Sequence, residues 1–238
     1  MITTERPKVL ARLAGASYIA IIIFAAIAYV GVRDSVVIPT DMPHTIANLQ
    51  AHQQLYRLGF ASAVLTVICN LPLGLLLYEL LKVVNQGLAR ALLVFIAVSA
   101  TIEAVNLYNY ISPVITATLP EYRAGFDPAA LQALIRGAGK LFALGFGISL
   151  GFFGVYCFLV GYLIVRSTFL PSILGFMMIG AGIVYEYHVI SLFLNTAEIP
   201  YVLFIGFVAE LSLASWLLIM GVNAEKWRSQ ITAIAAAT

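Results

Sequence analysis

Residues 141–165 read LFALGFGISLGFFGVYCFLVGYLIV, an unbroken run without a charge. At about 1.5 Å per residue, a helix of this length exceeds the ~30 Å hydrocarbon core of a bilayer. Five further apolar stretches of similar length lie at residues 13–32, 58–81, 91–115, 172–194 and 201–222. Composition carries the same message over all 238 residues: 62% are hydrophobic and 10% charged, with a mean hydropathy of +0.99. A water-soluble domain has about 25% charged residues, so this chain cannot cover a core with a polar surface. No alternating ten-residue strand pattern is present, and lipid tolerates no irregular backbone, so the spans are helices and not barrel strands. The expectation is an all-α, polytopic six-helix membrane bundle forming a single domain over residues 1–238, with the lipid bilayer as its partner. Disorder, nucleic-acid binding and a disulfide-stapled secreted fold are excluded together, because the charge, basic runs and cysteines they need are missing. Cys69 and Cys157 fall inside apolar runs and read as small buried hydrophobes.

Lys and Arg set the orientation. The N-terminus, the second and fourth connections and the C-terminal tail hold eight of them: Arg6, Lys8, Arg12, Lys82, Arg90, Arg166, Lys226 and Arg228. The opposite set holds five, Arg33, Arg57, Arg123, Arg136 and Lys140, alongside Asp34, Asp41, Glu121, Asp127 and Glu198. Both termini are therefore expected in the cytoplasm. Ala26-Ile27-Ala28 imitates a signal-peptide cleavage site, but the apolar run continues through Val32 and is long enough to be kept as a first span. The cytoplasmic connections leave no room for a soluble catalytic domain. In the first outer connection, Ile46, Leu49 and Tyr56 fall at near-helical spacing over residues 45–57, which predicts an outward extension of the second span or an interfacial helix. In the third connection Asp127 reads as an N-cap and Pro128 as the first helical residue. Leu131, Leu134 and Ile135 there predict a short interfacial helix ending at Gly137.

Polar residues inside the spans are the candidate site. Asn70, Glu103 and Glu210 lie near the middle of the second, third and sixth apolar runs. An ionised carboxylate at that depth costs around 2.5 to 3.5 kcal/mol, so it must face the bundle interior and find partners. Ser99, Glu103, Asn106 and Tyr110 share one helical face, and Thr66, Asn70 and Gly74 share another. Gly206, Glu210 and Ala214 align, which leaves Glu210 between two small residues. No Lys or Arg lies at this depth, so Glu103 and Glu210 must be protonated, hydrogen-bonded to groups such as Asn70, Asn106 or Tyr110, or neutralised by a cation. Glu186 and His188 occupy the outer half of the fifth span on diverging faces. Gly147, Gly151, Gly154 and Gly161 make the fourth span smooth, which suits close helix packing and offers a face for self-association.

Catalytic and cofactor motifs are absent. No nucleophile elbow, phosphate loop, dinucleotide fingerprint or His-Glu-x-x-His is found. His188 is the single intramembrane histidine, which leaves a bis-histidine haem without its second ligand. Asp41, His44 and His52 match no zinc spacing. No metal and no cofactor is expected. The reading is a protein that binds or moves a small-molecule solute with a proton or cation at Glu103, Asn106, Tyr110, Asn70, Glu210, Glu186 and His188. The rival readings are an embedded enzyme with paired carboxylates as general acid and base, and a non-catalytic scaffold.

A set of segments extends over nearly the whole chain: Arg12-Leu13-Ala14-Gly15, Tyr56-Arg57-Leu58-Gly59-Phe60, Leu77-Tyr78-Glu79-Leu80-Leu81-Lys82, Gly151-Phe152-Phe153-Gly154 through Leu174-Gly175, Glu210-Leu211-Ser212-Leu213, and Gly221-Val222-Asn223. Together they resemble a family of bacterial membrane proteins catalogued as domain of unknown function 4386. The resemblance implies a multi-pass protein of the bacterial inner (plasma) membrane and supplies no activity and no site residues.

Overall fold

The computed structural model describes residues 6–196, 199 and 201–235, and all regular structure among them is helical. Six helices among the described residues are long and apolar enough to cross a membrane: Pro7–Val36, Gln53–Leu81, Gln86–Thr118, Pro128–Arg166, Ser172–Leu194 and Val202–Ile219. The chain is thus a polytopic helical membrane protein. Each expected span is found, and the first four run past their apolar stretches because a helix keeps its backbone bonded as it passes through the interface. Ile173, Phe176, Ile183 and Ile190 are exposed along one side of the fifth span, a surface that suits lipid and not water. Glu198 lies outside the described residues, as does Thr238 at the C-terminus.

The third connection departs from expectation, and the first is helical as its spacing predicts. Asp127 does cap the fourth helix, accepting the Ala130 N–H at 2.8 Å, and Pro128 does open it. The helix does not end at Gly137, however; it continues through Gly139 to Arg166. A helical glycine costs about 1 kcal/mol relative to alanine. Breaking the helix just before the bilayer would leave several backbone groups unpaired, which costs more. In the first outer connection the helix Met42–Ala51 is separate from the second span, since His52 leaves helical geometry (φ −115, ψ 30). Asp41 caps it through the His44 N–H at 3.1 Å and meets the His44 ring at 2.6 Å. Those bonds, the backbone one first, hold the Asp41 carboxyl below its ordinary value. The spacing of Asp41 and His44 is therefore a helix cap and not a ligand set.

A helix beyond the sixth span went unread in the sequence. Ala224–Ala235 follows the sixth span, and Asn223 starts it by accepting the N–H groups of Glu225 and Lys226 at 3.1 and 3.0 Å. Trp227 is fully buried, and its Nε1–H donates to the Leu80 carbonyl at 3.0 Å. That carbonyl belongs to the last turn of the second span, where helix carbonyls lack intrahelical partners.

The chain forms two compact units: Met1–Ala20, Cys69–Ala100 and Gly147–Thr238 in one, Ile21–Ile68 and Thr101–Phe146 in the other. In the first unit, glycines bring helices together. A Cβ on Gly161 would stand 2.5 Å from the Gly175 carbonyl oxygen, and one on Gly182 would stand 2.7 Å from that of Gly154. The fourth-span glycine face, expected to pack closely, is thus occupied by the fifth span of the same chain. On the first span, a Cβ at Gly15 would strike the backbone of Leu218 and Ala214. Ser99 and Ser149 add a polar tie between the third and fourth spans, each hydroxyl donating to the other's carbonyl at 2.9 and 3.0 Å. The second unit has an aromatic core in which Tyr110 lies within 6.2 Å (ring centroids) of Tyr29, Tyr56, Phe60 and Phe142.

Candidate functional site

In the second unit, the polar centre begins with a backbone irregularity. Residues Ala26–Arg33 of the first span form a π-helix, in which the Asp34 N–H donates to the Tyr29 carbonyl five residues back. π segments are rare and gather at functional sites, because the wider turn re-aims side chains and loosens the usual hydrogen-bond ladder. Both effects are visible. The Ala28 carbonyl accepts the Tyr110 hydroxyl at 2.7 Å, and the Tyr29 hydroxyl donates to Glu103 Oε1 at 2.7 Å. Ala26 and Ala28, the small residues of the cleavage-site pattern, lie in this π-helix, with Ala28 fully buried.

Glu103 itself is buried. Its Oε1 is held by Tyr29, while Oε2 is buried without a hydrogen-bond partner among the described residues. Asn106 lies beside it but gives its amide to the Phe142 carbonyl at 3.0 Å and takes one from Asn109 at 3.2 Å. Gly145 makes this possible, since any side chain there would collide with Asn106. Tyr110 does not reach Glu103 by a hydrogen bond. Its hydroxyl is committed to Ala28, and its carbonyl accepts the Tyr56 hydroxyl at 2.9 Å. The partner of Glu103 is therefore Tyr29, which the sequence reading passed over, and not Tyr110. Tyr29 also packs edge-on against Phe146 and tilts against Phe142, which fixes its ring.

The first unit has a polar centre of its own around Glu210. Tyr185 of the fifth span donates a hydrogen bond to Glu210 Oε1. Gly206, one turn before Glu210, leaves the space that the Tyr185 ring fills. Tyr18 approaches the same carboxylate, and Tyr156 and Cys157 lie within electrostatic reach of it. The Tyr18 and Tyr156 hydroxyls are buried and make no hydrogen bond of full geometry among the described residues. Tyr18, Tyr156 and Tyr185 were not among the expected site residues; the small residue one turn from a buried carboxylate was the signal that an aromatic ring would be admitted there.

The remaining candidates are dispersed. Glu186 lines a mostly apolar groove of about 430 Å³ with Phe158, Ile183 and Ile190, its carboxylate set against the Gly154–Gly182 crossing. His188 and Asn70 are half-buried on the fifth and second spans. No group of three His, Cys, Asp or Glu side chains among the described residues is placed to hold a metal ion.

Residues 13–221 match the family model described as Domain of unknown function (DUF4386). The chain belongs to this family. No curated protein and no solved structure matches the chain. Several residues that carried the DUF4386 resemblance have a visible physical task. Gly15 admits the sixth span, Gly59 leaves room for Val32 and the Tyr110 hydroxyl, and Asn223 caps the final helix while donating its N–H to Phe169.

Proposed function

We propose that this membrane protein binds or carries a small solute at the Glu103 centre, with exchange of a proton or small cation at that carboxylate. The observation behind the reading is Glu103, a buried carboxylate whose Oε2 makes no hydrogen bond among the described residues although the Asn106 amide lies near, beside a Tyr29 hydroxyl aimed by a π-helical turn. A buried acceptor left open is costly and invites a proton, a cation or a ligand donor. Oxygen donors of this kind suit a hard cation or a proton. Glu103→Gln keeps the shape and can still accept from Tyr29, yet cannot lose a proton. It should leave the melting temperature near that of wild type and abolish the response of stability to pH and added cations. Glu103→Leu should destabilise by about 1–3 kcal/mol, because the Tyr29 hydroxyl is left unpaired. A Gln variant that keeps the wild-type response rejects the exchange site. The scaffold reading would then lead, and it has support of its own, since Asn106 and Tyr110 use their hydrogen bonds on backbone carbonyls of neighbouring spans.

The eight-to-five bias of Lys and Arg supports both termini in the cytoplasm of a bacterial plasma membrane. Reporter fusions after Arg12 and Gln86 and at the C-terminus should report cytoplasm, and those near Asp41 and Glu121 the outside. An external C-terminus would overturn that orientation.

A further inference from the structure

Of the five cations in the less basic set of connections, three, Arg33, Arg136 and Lys140, line one cavity of about 720 Å³ in the second unit. Each sits where polar chain meets an apolar run: Arg33 just after Val32, Arg136 and Lys140 just before Leu141. The cavity thus stands at the level where the bilayer's polar boundary meets hydrocarbon. Arg136 and Lys140 are one helical turn apart and project from the same face of the fourth span. Arg33 comes from the first span, its guanidinium 4.4 Å from the centroid of the Phe142 ring. Asp34 approaches Arg33 at 3.5 Å and is largely exposed, and no acidic residue lines the cavity. Three cations around one space repel one another, and a phosphate would relieve this through guanidinium forks and an ammonium contact.

The rest of the wall is mostly apolar, with Val37, Met42, Ile135 and Ala143 beside the cations and Thr40 as a neutral polar side chain among them. Gly139 also faces it, and a Cβ there would meet nothing within 4 Å. We propose that this cavity binds the phosphate of an amphiphile, the head group of an anionic phospholipid, with Arg33, Arg136 and Lys140 on the phosphate and the apolar wall against the glycerol and first acyl carbons.

The test uses the full chain in detergent, titrated with phosphatidylglycerol, phosphatidylcholine or tail-less glycerol phosphate, and read by thermal shift and by lipid retention in native mass spectrometry. Phosphatidylglycerol should be held roughly tenfold more tightly than phosphatidylcholine, as one charge-assisted hydrogen bond would give. The double variant Arg136→Gln with Lys140→Gln, both exposed and free of packing duties, should lose that preference. So should Gly139→Phe, which fills the cavity and leaves all charges in place. Arg57→Gln with Arg123→Gln removes two cations of the same set outside the cavity and should keep the preference. If glycerol phosphate alone reproduces the shift and both cavity variants erase it, the anion site stands and its source is a soluble phosphate ester. If the cavity variants respond as wild type does, or the Arg57 and Arg123 control loses as much, the site is rejected.

Discussion

Gly161→Ala should lower the stability of the detergent-purified protein by about 1–3 kcal/mol, the usual cost of forcing one methyl group into a filled helix interface. Gly151→Ala, on the same helix face, should melt like wild type or slightly above it. At Gly161 the added Cβ would lie 2.5 Å from the Gly175 carbonyl oxygen and 2.7 Å from the Ile179 backbone nitrogen, and neither backbone atom can rotate away. The fifth span must therefore move as a unit. At Gly151 the nearest atom is a Val189 methyl at 3.6 Å, an ordinary contact, and alanine favours the helix by about 1 kcal/mol over glycine. Thermal melts of the two variants, followed by aggregation or intrinsic fluorescence, separate the cases. Equal melting of Gly161→Ala and wild type would show that the two spans are not in backbone contact.

Trp227→Ala is expected to be the most damaging single change outside the spans, at about 3–5 kcal/mol, because it removes a fully buried indole and leaves a cavity between elements. It also strips the Leu80 carbonyl of its donor. Trp227→Phe divides the two effects: the ring still fills most of the space, so the residual loss, on the order of 1–3 kcal/mol, reports the unmet carbonyl. The prediction is checked by melting both variants and by limited proteolysis of the C-terminal helix, which should become cleavable in Trp227→Ala and stay protected in Trp227→Phe. An alanine variant with wild-type melting and protection would mean that the helix docks without its tryptophan.

Apolar run length fixed the number of spans in advance because a bilayer imposes one length on every crossing, and that constraint is local to each stretch. Caps were legible for the same reason, as Asp127 and its N–H partner lie three residues apart. The smooth glycine face of the fourth span was legible too, since helical periodicity alone aligns its residues. Which helix would cover it was not. The π turn at Ala26–Arg33 left no mark in composition, because its stabilising partners, the Tyr110 hydroxyl on Ala28 and Glu103 on Tyr29, come from 82 and 74 residues away. Trp227 looked like one aromatic in a polar tail until the Leu80 carbonyl stood beside it.

The sequence by itself determined that the chain crosses a membrane as helices, where those helices run, and which few polar residues the bilayer interior must accommodate. These follow from the cost of exposing polar backbone and charge to hydrocarbon, which each segment meets alone. The tertiary structure decided which hydroxyl meets each carboxylate, Tyr29 for Glu103 and Tyr185 for Glu210, and which cations share a cavity. Those choices depend on packing between segments distant in the chain, where a missing side chain at Gly145 or Gly206 determines what can approach.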